Sequence, residues 1–257
     1  MHELPLVFFT VFTQSAVGAF ILLLIGGTLR QIDERRMTIG LFSMMCLFGI
    51  GVLLGIFHVG QPLRALNMLL RVGHSPMSNE IVLSAMFATL GGLGALGLLL
   101  NRGAVVLCKG LVWLAAIVGV FFILAIPQIY QLPTVVTWRT PYTIVMMILT
   151  PLIGGGILAG LFGLRLGIVV SVLAILISFV LHPGYISSLM SADGVLTAMQ
   201  THWFTAQAAL LALGVVGMMV WARLKSTIAV LASTALVVIA AELVGRIAFY
   251  NLWTLPM

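Results

Sequence analysis

Eight continuous apolar runs, each near the length that crosses a lipid hydrocarbon layer, dominate the 257-residue sequence. Spanning takes about 20 residues at a rise of about 1.5 Å each. The sequence supplies candidate spans at Pro5–Leu29, Thr38–His58, Asn79–Leu100, Val105–Ile126, Pro141–Gly163, Leu166–Leu181, Trp203–Ala222 and Thr227–Tyr250. Barrel strands would instead alternate apolar and polar residues over about ten positions. Charged residues make up 7% of the chain and hydrophobic ones 62%, whereas a soluble domain carries about 25% charged residues. Such a polypeptide cannot clothe itself in polar surface. The expected fold class is an all-α integral membrane protein, an eight-transmembrane-helix bundle forming one polytopic domain over 1–257. The N-terminus, "MHELPLVFFTVF", has no basic n-region and no small-residue cleavage site after its apolar run, so it reads as a retained first span.

Lys and Arg hold membrane-protein loops in the cytoplasm. Connections after the first, third, fifth and seventh spans carry Arg30, Arg35, Arg36, Arg102, Lys109, Arg165, Arg223 and Lys225, eight in all. The other side carries Arg64, Arg71 and Arg139, with Arg246 inside the last span. This excess predicts that both termini face the periplasm of a bacterial inner membrane. The net charge of +6 does not imply nucleic acid, because the basic residues are scattered singly between apolar runs. Cys46 and Cys108 form no CxxC pair, which leaves disulfide, zinc and iron–sulfur motifs without support. The expected metal set is empty. The predicted outer connections (60–78, 127–140 and 182–202) are longer and more varied than the cytoplasmic ones, as loops that carry function usually are. All five histidines fall on that outer side. No convincing internal repeat is legible, and the Gly51–Gly55 and Gly156–Gly160 spacings read as close helix packing.

The segment "IFHVGQPLRALNMLLRVGHSPMSNEI", 56–81, gathers ionisable groups in a sequence that otherwise avoids them. His58 ends the second span, and Pro62 and Gly60 turn the chain. Arg64 and Arg71 share a face if 63–72 is a surface helix. Glu80 opens the third span, where Ser75 or Ser78 is a candidate N-cap and a carboxylate suits the helix dipole. If the second and third spans are neighbours, His58, Arg64 and Glu80 converge at the outer interface. Individually these are a helix-end histidine, a headgroup contact and a capping carboxylate. Together they can accept a proton, pass it on and fix a polar head group, which is the equipment for oxidising a quinol. Gln61, Ser78, Asn79 and Arg71 form the surrounding candidate set.

In the last span "AAELVGRIAFYN" places Glu242, Arg246 and Tyr250 at i, i+4 and i+8 on one face. A charge at mid-membrane costs about 2.5–3.5 kcal/mol on insertion scales, so such residues face the bundle interior and pair. An intrahelical ion pair and a role in moving protons or binding quinol remain alternatives, and Gln14 is placed to hydrogen-bond in the same interior. In "PTVVTWRTP", Trp138 reads as an interface anchor and Arg139 as a rim charge, and either is a candidate contact with a partner subunit. Haem is not expected. His182 precedes Pro183 in a loop-like "HPGY", and no second histidine pair exists for a haem across the membrane.

Five segments, "HELPLVFFTVFTQ", "FHVGQPLRALN", "RVGHSPMSNEI", "PTVVTWRTP" and "ELVGRIAFY", occur in an order that resembles the membrane anchor subunit of bacterial dimethyl sulfoxide reductase. The resemblance implies a haem-free, eight-helix anchor that binds and oxidises menaquinol. Its partners would be an iron–sulfur electron-transfer subunit and a molybdopterin catalytic subunit on the periplasmic face, with clusters and molybdopterin in those partners only. It further implies that the quinol-site histidine of the H-x-G-x-P-x-R-A motif is His58, with Arg64 beside it, and that the functional glutamate of S-N-E is Glu80. The 182–202 segment is not matched, and "HWFTAQ" lacks the arginine the family pattern leads one to expect. Anchors of polysulfide, thiosulfate, tetrathionate or nitrite reductases share the architecture and stay open as alternatives. A proton-coupled transporter would want charged or unwound segments at the midplane of several spans, and here the midplane is clean apart from Glu242 and Arg246.

Overall fold

The computed structural model describes residues 4–56, 71–101, 104–224 and 227–253. These contain eight helices long and apolar enough to cross a membrane: α1 (Leu4–Thr28), α2 (Glu34–Ile56), α3 (Pro76–Leu99), α4 (Val105–Ile129), α5 (Pro141–Leu161), α6 (Arg165–Ala192), α7 (Gly194–Leu224) and α8 (Ile228–Asn251). Helices are the local solution because each satisfies its own backbone hydrogen bonds where lipid offers none. Pro76 and Pro141 lie at the starts of α3 and α5, where a missing N–H costs nothing. Thr140 Oγ1 accepts from Thr143 N at 3.2 Å to cap α5. Gly163, at φ 92°, closes α5 in the left-handed region and lets α6 start two residues later. An even helix number brings both ends of the chain to one end of the bundle, called here the terminal face.

Several boundaries depart from the sequence expectation, α2 beginning at Glu34 rather than Thr38. α3 begins at Pro76 rather than Asn79, so Glu80 lies beyond the first turn and is not a dipole-capping carboxylate. Ser75 occupies the N-cap position but makes no side-chain cap bond. α4 runs through Pro127 to Ile129. The largest departure is the expected 182–202 loop, which is helical throughout except for a turn at Asp193. α6 continues across His182-Pro183-Gly184 because tertiary contacts favour that course. A Cβ at Gly184 would meet the Tyr142 hydroxyl at 2.5 Å, and Tyr185 packs its ring against both Tyr142 and Phe204. Neighbouring helices commonly make Pro and Gly tolerable inside membrane helices. Asp193 then caps α7, its Oδ1 accepting from Leu196 N at 3.0 Å.

α1 and α5 form the centre, with α2–α4 on one side and α6–α8 on the other. The packing partners repeat after four helices. Contacts α1–α2, α2–α3, α3–α4 and α1–α4 are matched by α5–α6, α6–α7, α7–α8 and α5–α8, and α1–α8 by α4–α5. The molecule therefore holds two similarly oriented four-helix halves related by a pseudo-two-fold axis along the α1–α5 contact, a repeat not evident from the sequence. Small residues permit that contact. A Cβ at Gly155 would meet Ala19 N at 2.5 Å, and one at Gly18 would collide with the Pro151 carbonyl. Gly51 and Gly55 bring α2 onto α1, and Gly156 and Gly160 bring α5 onto α6, as the GxxxG spacings suggested.

Each half is filled with apolar side chains. Phe20, Phe48, Phe87 and Phe122, one from each of α1 to α4, form a buried layer with ring centroids 4.8–5.8 Å apart. Ile153, Ile157, Ile175, Leu211 and Val238 fill the other half. The buried ionisable side chains lie towards the terminal face.

Candidate functional site

Buried polar groups from seven of the eight helices meet beneath the terminal face. Arg246 of α8 is 6% exposed. Its Nη2 donates to Gln14 Oε1 of α1 at 2.8 Å and to Thr150 Oγ1 of α5 at 3.0 Å. Gln14 and Thr150 occupy corresponding depths in the two halves, so the guanidinium straddles the pseudo-axis. Glu242, one turn earlier and 5% exposed, has Thr150 and Gln207 of α7 beside its carboxyl. Gly245 has no side chain where the Gln207 amide lies. A cavity of about 50 Å³ opens between α5, α6, α7 and α8 against Glu242, Arg246, Thr150, Gln207, His182 and Tyr185. That is room for roughly three waters.

One turn closer to the face, the hydroxyls of Tyr250 and Tyr130 share a 2.6 Å hydrogen bond. These tyrosines end α8 and α4, the equivalent helices of the two halves. The rings of Tyr130, Trp138, Phe249 and Tyr250 form one aromatic cluster. Burial, then the neighbouring Tyr250 and the Glu80 carboxyl, push the Tyr130 hydroxyl well above its ordinary pKa, with Arg246 opposing. Glu80 of α3, 8% exposed, thus acts electrostatically on the tyrosine pair. A fixed cation, two carboxyls and a hydroxyl pair in a low-dielectric layer can hold an anionic oxygen and exchange protons with it.

Several sequence-predicted residues come together here. Glu80, Tyr250, Arg246, Glu242 and Gln14 belong to one buried layer. Arg246 donates to side chains of other helices, Gln14 among them, which is the interior role expected for Gln14. Ser78 is buried, Asn79 Oδ1 accepts from Gly73 N at 2.7 Å, and Gly73 needs its freedom at φ 85° to make that turn. Arg71 is exposed. His58, Gln61 and Arg64 lie outside the described residues. α2 and α3 are neighbours, as the convergence of those residues with Glu80 requires.

Trp138 is buried within the protein rather than anchored at the lipid interface. Its Nε1 donates to the Phe249 carbonyl at 2.9 Å, and its ring stacks on Phe249 at 5.2 Å. It holds the α4–α5 connection over the end of α8, and Arg139 beside it is exposed. His182, expected from the sequence in an outer loop, walls the cavity half-buried, and its helical setting replaces that loop. Sequence reasoning missed Tyr130, Thr150, Tyr185 and Gln207. One signal was available: "YQLPT" from Tyr130 and "YNLWT" from Tyr250 are related strings at equivalent helix ends.

Comparison with known proteins agrees with this architecture. The family described as DMSO reductase anchor subunit (DmsC) matches residues 1–252. The YnfH subunit of anaerobic dimethyl sulfoxide reductase from Escherichia coli is 32% identical over 269 residues, covering 98% of this protein and 95% of the relative. The C subunit of anaerobic dimethyl sulfoxide reductase from E. coli is 32% identical over 272 residues, and that from Haemophilus influenzae 33% over 274, with the same coverage. No solved structure is significantly similar. A multi-pass helical protein of the bacterial inner membrane, matched over nearly its whole length, this chain belongs to the DMSO reductase anchor subunit family.

Proposed function

We propose that this protein oxidises menaquinol at its terminal face, which is periplasmic, and passes the electrons to an iron–sulfur partner subunit serving a molybdopterin catalytic subunit. The observation that carries this reading is the buried Glu80 carboxyl close enough to the Tyr130–Tyr250 hydroxyl pair to act on it electrostatically, on the helix that follows His58 and Arg64 in the sequence. The preponderance of basic residues at the opposite end supports the orientation. Menaquinol itself is the substrate. In this reading His58 accepts the first proton, Arg64 fixes the head group, and Glu80 accepts the second proton, which the tyrosine hydroxyls can only relay onward.

Arg246, held by Gln14 and Thr150, keeps a positive potential beneath the site and favours the quinol oxygen as it loses its proton. Glu242, His182 and the cavity beside them give that proton a hydrated second station. Gln61, Ser78, Asn79 and Arg71 shape the approach. Electrons leave directly for the partner's nearest cluster.

The test compares menaquinol-driven turnover of the whole complex with turnover from an artificial donor that reduces the partner subunits directly. His58→Ala and Glu80→Gln are each expected to lower the quinol-driven rate by about 10²-fold, the usual share of a positioned acid–base group, with the bypass rate intact. Equal retention of both rates would remove these residues from the site.

A further inference from the structure

The two halves share a packing plan but differ in what fills it. The Tyr130–Tyr250 pair sets the register of α4 against α8. Counting back four and eight residues along each helix, Arg246 matches Ile126 and Glu242 matches Phe122. Phe87 of α3 lies against Gly119 of α4, and Gly214 of α7 against Val238 of α8. Seven residues nearer the terminal face, Glu80 and Gln207 therefore hold matching places. In the first half the matching core is the solid layer of Phe20, Phe48, Phe87 and Phe122. In the second half a carboxyl and a guanidinium stand where the first has two apolar side chains, and the cavity of about 50 Å³ opens against them.

The i, i+4 spacing of Glu242 and Arg246 suits a direct ion pair. Among the described residues the two form none. The guanidinium instead commits Nη2 to Gln14 and Thr150, and the Glu242 carboxyl has the neutral Thr150 and Gln207 as partners. A buried cation and a buried carboxyl held apart beside a polar cavity leave water to bridge them. The cavity also has an outlet. His182 walls it half-exposed, with its ring against Phe204. Pro183 has no N–H to give the Phe179 carbonyl, so α6 offers an open backbone acceptor beside that histidine. Water, an imidazole and a carboxyl in one cavity form a chain along which a proton can move. Arg246 acts electrostatically on both Tyr130 and Tyr250. An ionised Glu242 offsets that charge across a low-dielectric layer, and a protonated one leaves it whole.

We infer that the second-half cavity is a proton-binding site, a cluster of about three waters between His182 and Glu242 that exchanges its proton with the terminal-face solution. Its occupancy sets how much of the Arg246 charge reaches the quinol oxygen. The inference rests on the proposed reading for the quinol itself. Loading forms one O–H bond on the Glu242 carboxylate, with the proton relayed by His182 and the waters, and no electron moves. Among the described residues, the titratable or charged groups facing that carboxyl are Arg246 of its own helix and His182 and Tyr185 of α6. α1, α5 and α7 present the uncharged Gln14, Thr150 and Gln207.

The experiment uses the complete complex in its membrane and follows protonated carboxyls by infrared difference spectroscopy as the pH changes. A carboxyl band that grows on acidification is expected, lost in Glu242→Gln and retained in Glu80→Gln. Its shift on transfer to heavy water is expected to slow at least about tenfold in His182→Phe, a modest share for a positioned proton carrier. Because an amide mimics the loaded carboxyl, Glu242→Gln is expected to hold its acid-side quinol turnover to higher pH than the parent, with bypass turnover unchanged. A purely structural role would not displace the pH profile. Should Glu242→Gln fail to accumulate, Gln207→Leu reads the same carboxyl, whose band is expected to move when that hydrogen bond is removed. A band indifferent to pH, one that survives Glu242→Gln or stays fixed in Gln207→Leu, or exchange as fast in His182→Phe as in the parent would overturn the inference. So would a Glu242→Gln pH profile that matches the parent. If the band and its exchange behave as stated while His58→Ala and Glu80→Gln leave quinol turnover unchanged, the proton site stands and the quinol reading falls.

Discussion

Tyr130 and Tyr250 lie 120 residues apart and are joined hydroxyl to hydroxyl at 2.6 Å with no exposed surface to speak of. Removing the Tyr250 hydroxyl orphans that of Tyr130, at a cost of about 1–3 kcal/mol for a buried unpaired polar group, whereas Tyr250 keeps Thr10 beside its hydroxyl. Tyr130→Phe and Tyr250→Phe are each expected to lower the thermal inactivation midpoint of the complex. The double variant should cost less than the two singles together, because it leaves no orphan. If Glu80 feeds protons to this pair, all three variants also slow quinol-driven turnover relative to the bypass rate; unchanged quinol turnover would reduce the pair to a structural clasp. Glu80, Arg246 and Glu242 were recognisable in the sequence because ionisable residues in apolar runs are costly and therefore stand out. Their neighbours Thr150 and Gln207 carry no such signal, since an uncharged hydroxyl or amide in a membrane helix is common.

Helix pairs are set by where side chains are missing. Gly155 abuts the α1 backbone, whereas Gly92 on α3 has open space where a Cβ would go. Gly155→Val is expected to cost about 1–3 kcal/mol, the range for overpacking, and to reduce accumulation of the assembled complex. Gly92→Ala is expected to be neutral by the same assay. Sequence shows both as glycine in an apolar run, and the crowding of Gly91, Gly92, Gly94 and Gly97 in the third span does not say which of them faces a neighbour. The α6–α7 boundary shows the opposite difficulty. Pro183 and Gly184 are strong local breakers, yet the close approach of Tyr142 and the ring contacts of Tyr185 favour continuing the helix.

Two four-helix halves about a pseudo-two-fold axis place equivalent helix ends side by side, which is how Tyr130 meets Tyr250 and how Gln14 and Thr150 come to share one guanidinium. The proposed orientation puts the terminal face in the periplasm and the basic connections in the cytoplasm. A single cysteine at Thr134 is expected to react with a membrane-impermeant thiol reagent added to intact spheroplasts, and one at Arg165 only after the membrane is opened. The reverse pattern would invert the topology and place the site at the cytoplasmic side.

Span number, helical class and the residues too polar for lipid follow from composition along the sequence, because the transfer of apolar and charged groups between water and hydrocarbon is a local property of each segment. The convergence of Glu80, Tyr130, Tyr250 and Arg246, the repeat of packing after four helices and the continuation of α6 through Pro183 come from the tertiary structure. Each depends on which helix faces lie together and at what depth, and those are decided by contacts between residues far apart in the sequence.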